Sequence, residues 1–278
     1  MSPRPNDGAD PAVELEVFLD FDGTLVDPNV AIVLIDEFAQ DGERLARVVD
    51  EELHAGKITL REAWEREAAA LRADHLDAMV DFVRREVPLR EGAHELIRLL
   101  ETHRVPTRII SGGLDFYITP ILERERIRLP FLSDTAEVAP DGALRVVHPF
   151  GHATCRLCGI CKAQAVVGGA RGRRRIFVGD GSTDRYAAEV SDIVFARRRL
   201  KEICHQRGIP FYAFEDFGPV TRQLELWLTG AEPLPEPRTV GLAASKCPIS
   251  QALAAEPIAL RFPPRPVAGP VGTNLPLR

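Results

Sequence analysis

The segment V-F-L-D-F-D-G-T-L-V, residues 17–26, constrains the fold of this chain more than any other stretch. Its strand-forming apolar run ends in a turn signal, a pattern typical of a buried strand in an α/β sheet. Ligands bind beyond the carboxyl ends of such strands, where Asp20 and Asp22 are expected. Paired carboxylates there can bind a hard cation such as Mg2+, and one of them can attack phosphorus and form an aspartyl-phosphate. A polar turn after an edge strand is the alternative that this motif alone leaves open.

Composition narrows the class of protein. Hydrophobic residues make up 45% and charged residues 27% of the 278 positions, as in ordinary globular proteins with a sizeable core. The net charge of -6 argues against nucleic-acid partners. No apolar run suits a membrane span or a secretory signal, so we expect a cytoplasmic protein without membrane contact. Five cysteines, three of them in C-R-L-C-G-I-C, do not match a secreted disulfide framework.

Helical spacing dominates the residues that follow the first strand. Apolar residues recur at three and four positions over 32–39, and T-L-R-E, which begins at Thr59, is a capping-box signature before a long amphipathic region. We therefore predict a helical unit over 30–87, acting either as a cap over the site or as a structural layer. It would be inserted into an α/β core formed by 14–29 and 88–230.

Both ends of the chain are predicted to be disordered. Residues 1–13 are polar and contain three prolines, and residues 231–278 hold ten of the chain's 22 prolines without a sustained apolar period.

A second polar strand end lies at Ser111. The strand V-P-T-R-I-I-S is followed by Gly112 and Gly113, which we expect to open a helix. A hydroxyl and backbone amides directed at one point form an anion site. A flexible turn is an equally good interpretation of S-G-G by itself.

A third polar strand end follows the strand of R-R-I-F-V-G-D-G-S-T-D, residues 174–184. Asp180 and Asp184 share a face if a helix begins between them. Strands and helices then alternate to residue 228, and residues 133–149 alternate around P-D-G as in a small hairpin. This order predicts a three-layer α/β fold with a parallel sheet.

The motif C-x-x-C-x-x-C, formed by Cys155, Cys158 and Cys161, immediately precedes Lys162. Its spacing suits a soft metal, but a tetrahedral site needs a fourth ligand. The available candidates are His148, His152, Cys204 and Cys247. Because the motif itself supplies only three ligands, we expect the cysteines to shape the loop that presents Lys162 without a metal. Lys162 by itself is typical of a surface lysine.

The four polar features, taken in order, resemble the haloacid dehalogenase superfamily of phosphatases over about residues 15–228. The matching positions are Asp20 and Asp22, Ser111, Lys162, and Asp180 with Asp184. The resemblance implies a Rossmann-like core, and the insert after the first motif resembles the cap of the phosphoserine phosphatase-like branch. Within that branch, S-G-G-L-D-F-Y-I-T-P-I-L, C-G-I-C-K, F-A-R-R-R-L and G-K-I-T-L-R-E are similar to a subgroup that includes the methionine-salvage phosphatase.

The resemblance implies a Mg2+-dependent phosphomonoesterase. Asp20 would be the nucleophile and a metal ligand. Asp22 would be the general acid and base, with its backbone carbonyl on the metal. Asp180 would complete the metal site, and Asp184 would orient the metal's water shell or Lys162.

The remaining roles concern the phosphoryl group. Ser111 and Gly112 would donate hydrogen bonds to it, and Lys162 would neutralise the charge that develops there. The implied substrate is a small organic phosphate rather than a phosphoprotein or nucleic acid. In the subgroup it is 2-hydroxy-3-keto-5-methylthiopentenyl-1-phosphate. The alternatives are phosphoserine or phosphoethanolamine/phosphocholine, transfer to an acceptor other than water, or a catalytically silent phosphometabolite-binding protein.

Substrate choice would depend on the insert, whose candidate cations are Arg44, Arg47, Lys57 and Arg61. No pattern in the sequence predicts the oligomeric state.

Overall fold

A seven-stranded sheet forms the centre of the computed structural model, which describes residues 15–170 and 172–255. The strands are β1 (Leu15–Leu19), β2 (Thr107–Leu114), β3 (Phe131–Val138), β4 (Leu144–Val147), β5 (Arg174–Gly179), β6 (Ile193–Ala196) and β7 (Tyr212–Ala213). Their order is β4-β3-β2-β1-β5-β6-β7, and each neighbouring pair is parallel except β3 and β4. The first strand is therefore central, and all five of its residues are buried, as its apolar run predicts.

Helices cover both faces of this sheet. In chain order they are α1 (Val30–Phe38), α2 (Gly42–His54), α3 (Leu60–Ala68), α4 (Leu76–Glu86), α5 (Ala93–Thr102), α6 (Asp115–Arg124), α7 (Lys162–Val167), α8 (Arg185–Val190), α9 (Arg198–Arg207), α10 (Phe217–Leu228) and α11 (Pro248–Ala255). Successive side chains of a strand point to opposite faces. Val17 and Leu19 accordingly join a core with α5, α6 and α10, whereas Phe18 joins a second core with α7, α8, α9 and α11. The predicted three-layer α/β fold is confirmed.

The helices predicted between the first strand and residue 87 are present as α1 to α4. The capping box is present too: Glu62 N donates to Thr59 Oγ1 at 3.2 Å, and Thr59 N donates to Glu62 Oε2 at 2.8 Å. Where the chain leaves and re-enters the core, Val26 and Leu89 form an antiparallel bridge. The two connections to the insert thus run side by side.

The insert also packs against the hairpin of β3 and β4. The sequence predicted this hairpin but not its contact with the insert. Leu144 N donates to Leu71 O, and Ala73 N donates to Gly142 O, both at 2.9 Å. Arg124 of α6 adds bonds to backbone carbonyls at the end of α4 and just beyond it, among them Val83 O at 3.2 Å. Among the described helices, none has both the length and the apolar character needed to cross a bilayer.

Two sequence-based predictions are wrong, one about where a helix begins and one about the C-terminal tail. Strand β2 continues through the glycine pair to Leu114, with an irregularity in its pairing to β3 after Ile110, so the next helix begins only at Asp115. Disorder from residue 231 onward is also wrong for the described part of that tail. Helix α11 buries Ile249 and Leu253 against the second core. Residues 1–13 and 256–278 lie outside the described residues.

Candidate active site

The parallel strand order brings the sequence-predicted residues to one edge of the sheet. Asp20 follows β1, Ser111 lies in β2 next to it, and Asp180 follows β5 on the other side. Lys162 is the first residue of α7, which packs in the second core near Phe18. The fold thereby assembles, from four separate stretches, a site that no single motif contains.

An ion-pair triad forms the floor of the site. Lys162 Nζ donates to Asp20 Oδ1 at 2.5 Å and to Asp184 Oδ1 at 2.7 Å. Lys162 and Asp20 are each 3% exposed, and Asp184 is fully buried. Burial by itself would lower the pKa of Lys162, but Asp184 and then Asp20 outweigh it and raise that pKa above its usual range. The lysine is therefore a buried cation between two carboxylates, not the surface residue that its local sequence suggests.

Asp184 is fixed from both sides. Its Oδ2 accepts hydrogen bonds from the backbone amides of Asp180 and Gly181, both at 2.9 Å, while Oδ1 is held by Lys162. A Cβ on Gly179 would lie 2.6 Å from Asp184 Oδ2, so only glycine fits at this strand end. Both carboxylate oxygens of Asp184 are already occupied, which suits a residue that orients its neighbours.

Three carboxylates converge where a metal was predicted. Ligand oxygens of Asp20, Asp180 and Asp184 all lie within 4.8 Å of one another. Burial, then the charge of Asp184, raises the pKa of Asp20 well above its usual range, with Lys162 opposing. Burial and Asp184 likewise raise the pKa of Asp180 to about 6, with Arg197 opposing. The negative charge of these carboxylates is not fully balanced by neighbouring cations. A hard divalent cation, which prefers oxygen ligands, would balance it.

The turn after β1 leaves room for this cluster. Gly23 has φ +77°, a left-handed conformation that favours glycine, and a Cβ there would lie 2.5 Å from Asp180 Oδ2. Thr24 Oγ1 lies 3.4 Å from Asp180 Oδ1. The cradle of small residues and the buried carboxylates together fit Mg2+.

Asp22 lies in a different environment from Asp20, although one residue separates them. Its Oδ2 accepts hydrogen bonds from Ser111 Oγ at 3.1 Å and from Tyr117 OH at 3.0 Å, and its Oδ1 accepts one from Val30 N at 3.0 Å. Burial raises the pKa of Asp22, and these three hydrogen bonds counteract it in the order Tyr117, Val30, Ser111. The carboxylate of Asp22 is thus outside the metal cluster, as expected if only its carbonyl ligates.

Ser111 is engaged by protein groups in this structure. Its hydroxyl donates to Asp22 and accepts from Gly113 N at 2.9 Å. A Cβ on Gly113 would clash with Tyr117 and Asp22, whereas Gly112 faces open space. The residue predicted to bind phosphate therefore also organises the second aspartate.

Three residues that contact the site escaped the sequence analysis. Tyr117 donates to Asp22, as described. Arg90 donates to Thr24 O and to Gly23 O, both at 2.8 Å, and Arg197 donates to Gly23 O at 2.5 Å. The two arginines fix the turn that carries the aspartates, and both are at least 93% buried. Stretches S-G-G-L-D-F-Y and F-A-R-R-R-L contained Tyr117 and Arg197, but no spacing rule marked them.

The cations proposed for substrate choice lie apart from the carboxylates. Arg44, Arg47 and Lys57 are exposed, and Arg61 pairs with Glu65 at 2.8 Å on the same helix. Among the described residues, none of the four forms a hydrogen bond or ion pair with the site aspartates. In this conformation the structure does not bring them to the site.

Comparison with known proteins gives a consistent result. A family model described as haloacid dehalogenase-like hydrolase matches residues 17–189. A protein of Bacillus mycoides (strain KBAB4) named 2-hydroxy-3-keto-5-methylthiopentenyl-1-phosphate phosphatase is 25% identical over 218 residues, which cover 77% of this chain and 97% of that protein. A protein of the same name from Bacillus cereus (strain B4264) is 26% identical over 227 residues, or 78% and 98%.

Solved structures share the fold at lower identity. A substrate-bound phosphoserine phosphatase has a TM-score of 0.58 and 18% identity, covering 75% of this chain and 98% of its own. A phosphoserine phosphohydrolase-like protein from Francisella tularensis subsp. tularensis SCHU S4 has a TM-score of 0.58 and 17% identity, covering 76% and 99%.

Proposed function

We propose, since the chain belongs to the haloacid dehalogenase-like hydrolase family, that it is a Mg2+-dependent phosphoric monoester hydrolase acting through an aspartyl-phosphate. The family resemblance predicted from the four motifs is confirmed by the match over residues 17–189. The observation that carries the proposal is the separation of Asp20 and Asp22. One carboxylate pairs with Lys162 at 2.5 Å, and the other accepts from Ser111 and Tyr117 hydroxyls. Carboxylates in such different environments take different roles in catalysis.

Asp20 is the proposed nucleophile. Lys162 occupies Oδ1, and no described residue donates a hydrogen bond to Oδ2, which leaves that oxygen for phosphorus. Attack forms the bond from the carboxylate oxygen to phosphorus and breaks the ester bond, and the leaving alkoxide takes a proton from Asp22. Lys162, held between Asp20 and Asp184, faces the phosphoryl oxygens as their charge shifts.

Asp22 acts again in the second step. Having lost its proton, it accepts one from the water that attacks the aspartyl-phosphate, so inorganic phosphate leaves and Asp20 is regenerated. The hydroxyls of Ser111 and Tyr117 hold the Asp22 carboxylate in one orientation for both transfers. Ser111 and the Gly112 amide are proposed to turn to the phosphoryl group when substrate is bound.

The metal site is proposed to use Asp20 Oδ1, which would be shared with Lys162, together with a carboxylate oxygen of Asp180 and the Asp22 carbonyl. Asp184, whose oxygens are occupied, orients Lys162 and would orient the water shell of a bound metal. When bound, Mg2+ would neutralise phosphoryl charge and align the ester with the nucleophile.

The proposed substrate is the keto-enol thiomethyl phosphate named for the relatives from Bacillus. Helices α1 to α4 are proposed to form the cap domain over 30–87 that selects it, because the core residues contact only the phosphoryl group. Phosphoserine and phosphoethanolamine differ from it by an ammonium group, and a buried unpaired ammonium costs several kcal/mol. We place the enzyme in the cytoplasm, where its free thiols would stay reduced.

A direct comparison of substrates tests this proposal. With purified protein and Mg2+, kcat/KM is measured for the keto-enol phosphate, phosphoserine and phosphoethanolamine. The keto-enol ester should be preferred by more than about tenfold, roughly 1.4 kcal/mol. An equal or higher kcat/KM for an amine-bearing ester would refute the proposed substrate but leave the proposed reaction unaffected. No phosphate release from any of about a hundred phosphometabolites would overturn the reaction and favour a silent binding protein.

A further inference from the structure

A small cavity beside the active site collects four of the five cysteines. Cys155, Cys158 and Cys161 line it from the loop before α7, and Cys247 lines it from the turn before α11. The sequence-based expectation of a metal-free loop depended on a missing fourth ligand. The fold brings Cys247, from the tail predicted to be disordered, to the same cavity.

The segment that carries Cys247 is firmly attached to the core. Cys247 is 4% exposed, and its amide donates to Ser245 Oγ at 3.0 Å. Ser245 Oγ in turn donates to Glu189 Oε2 of α8 at 2.6 Å. Ile249 and Leu253 bury in the core beneath. The fourth thiol therefore has a defined place in the wall of the same cavity.

The thiols influence one another. Burial raises the pKa of Cys158 to about 12, with contributions from Cys161, Cys155 and Cys247, and Arg185 opposes them. Burial also raises the pKa of Cys161 to about 11. Three cysteines at C-x-x-C-x-x-C spacing, with a fourth thiol lining the same cavity, form the ligand set of a structural zinc site.

The surroundings favour sulfur ligands over histidine. His152 also lines the cavity, but its Nδ1 accepts from the amides of Thr154 and Cys155 at 3.2 and 3.1 Å. In the neutral ring its other nitrogen then carries the proton and cannot ligate. The buried hydroxyl of Tyr186, another lining residue, has no hydrogen-bond partner among the described residues.

We propose that Cys155, Cys158, Cys161 and Cys247 bind one Zn2+ in a tetrahedral site. The cavity has a volume of about 20 Å3, room for a single ion or water. Among the described residues the sulfur atoms do not form a group of three within 4.8 Å of one another. Loading must therefore rotate the side chains until each sulfur lies about 2.3 Å from the ion. Four S–H protons pass to the buffer as four Zn–S bonds form.

The position of the site gives it a structural role. Cys161 immediately precedes Lys162, whose ammonium joins Asp20 and Asp184. A zinc ion there would hold the C-terminal segment of residues 231–255 against the loop that presents this lysine. The guanidinium of Arg185, which already opposes the pKa shift of Cys158, would offset part of the negative charge of four thiolates.

The test uses the full-length protein, purified under reducing conditions without a metal-affinity tag after growth with zinc. Elemental analysis should find about one zinc per chain that survives removal of Mg2+ by mild chelation. Replacement by Co2+ should give the sulfur-to-cobalt charge-transfer absorption of a thiolate site, which the aspartate cluster cannot produce. This measurement needs no variant, so it is independent of any folding defect.

Cys247→Ser should weaken zinc binding by at least about tenfold, because one of four ligands is lost. Cys204→Ser is the matched control: Cys204 is also buried but does not line the cavity, and its replacement should leave the zinc content unchanged. Wild-type protein without bound zinc or without the cobalt–sulfur band would overturn the proposal. Wild-type affinity in Cys247→Ser would do so as well.

Discussion

The carboxyl end of the sheet and the helical insert contrast in how their charges are held. At the sheet, Asp20, Lys162 and Asp184 are almost completely buried and connected by bonds of 2.5 and 2.7 Å. In the insert, Arg44 and Lys57 are exposed. The first region has one arrangement, set by packing on all sides. The cations of the second region extend into solvent instead.

This difference parallels the proposed division between catalysis at the sheet and substrate selection by the insert. Buried charged side chains must be paired, so Asp20, Lys162 and Asp184 can lie only where their partners are. Their sequence motifs already indicate these positions. Exposed charges carry no such constraint, and the sequence cannot indicate which of them meets a ligand. The proposed reaction can accordingly be argued from the sheet, while substrate choice is proposed to depend on helices α1 to α4.

The largest expected effect follows removal of the nucleophile. Asp20→Asn should lower kcat by about 10^3-fold or more, because the amide keeps the shape but cannot attack phosphorus. Steady-state kinetics measures the loss, and circular dichroism checks that the fold survives. Asp77→Asn, at an exposed position on α4, is the matched control and should retain wild-type kcat. More than about a tenth of wild-type activity in Asp20→Asn would refute the assigned role.

Loss of the Tyr117 hydroxyl should have an intermediate effect. Tyr117→Phe removes a hydrogen bond to the Asp22 carboxylate worth about 1.5–3 kcal/mol, which predicts roughly a tenfold to hundredfold lower kcat/KM. This bond lowers the pKa of Asp22, so its removal raises that pKa. Because the first step needs protonated Asp22, the fall of kcat/KM at high pH should move to higher pH.

Tyr212→Phe provides the comparison for that experiment, since Tyr212 lies on the edge strand β7 and is 37% exposed. An unchanged pH profile in Tyr117→Phe would show that Tyr117 only supports packing.

The next largest expected effect is a change of about 1 kcal/mol in the free energy of unfolding, caused by the half-buried Glu67 in the insert. This value is smaller than the raised pKa of Glu67 alone would give, because solvent screens a partly exposed group. Burial, then Asp50, raises the pKa of Glu67 to about 7. The folded state therefore binds more protons than the unfolded state between 4.5, the ordinary pKa of a glutamate, and about 7, and the free energy of unfolding falls as pH rises through that window.

Glu67→Gln should consequently raise the free energy of unfolding at pH 8 but hardly at pH 4, with kcat unchanged. Denaturant unfolding measures this, and exposed Glu51→Gln is the control. Equal effects at both pH values would contradict the assigned cause.

The smallest effects are expected at the exposed cations of the insert. Arg44→Ala, Arg47→Ala and Lys57→Ala should each change kcat/KM by less than about twofold, since isolated surface substitutions stay within about 0.5 kcal/mol. A tenfold loss in any of them would show that the insert closes far enough to bring that residue to the substrate, and would remove the contrast between the two regions.

Much of the fold could be predicted because its signals are local. The apolar run of β1, the capping box at Thr59 and the hairpin around P-D-G each depend on neighbouring residues, and the structure contains all three. The order of helix α11 could not be predicted in this way. Its burial depends on contacts of Ile249 and Leu253 with the second core, which is formed by residues distant in the sequence. The proline content of the tail gives no information about such contacts.

The candidate site shows the same limit. Asp20, Asp180 and Asp184 were found because strand ends and motif order indicate them. Arg90 was missed because its role, donating to Gly23 O and Thr24 O across more than sixty positions, arises only when the chain folds. The burial of Lys162 likewise has no local signal, since its partners come from two other segments.

The central claim is a covalent phosphoryl group on Asp20, and chemical trapping tests it most directly. Protein in steady-state turnover is quenched in acid and reduced with borohydride, which converts an aspartyl-phosphate to homoserine, and peptide mass analysis locates the product. Homoserine is expected at residue 20 in the wild type, and none is expected at residue 22 or in substrate-free protein. Rapid turnover with unmodified Asp20, or homoserine at another carboxylate, would contradict it.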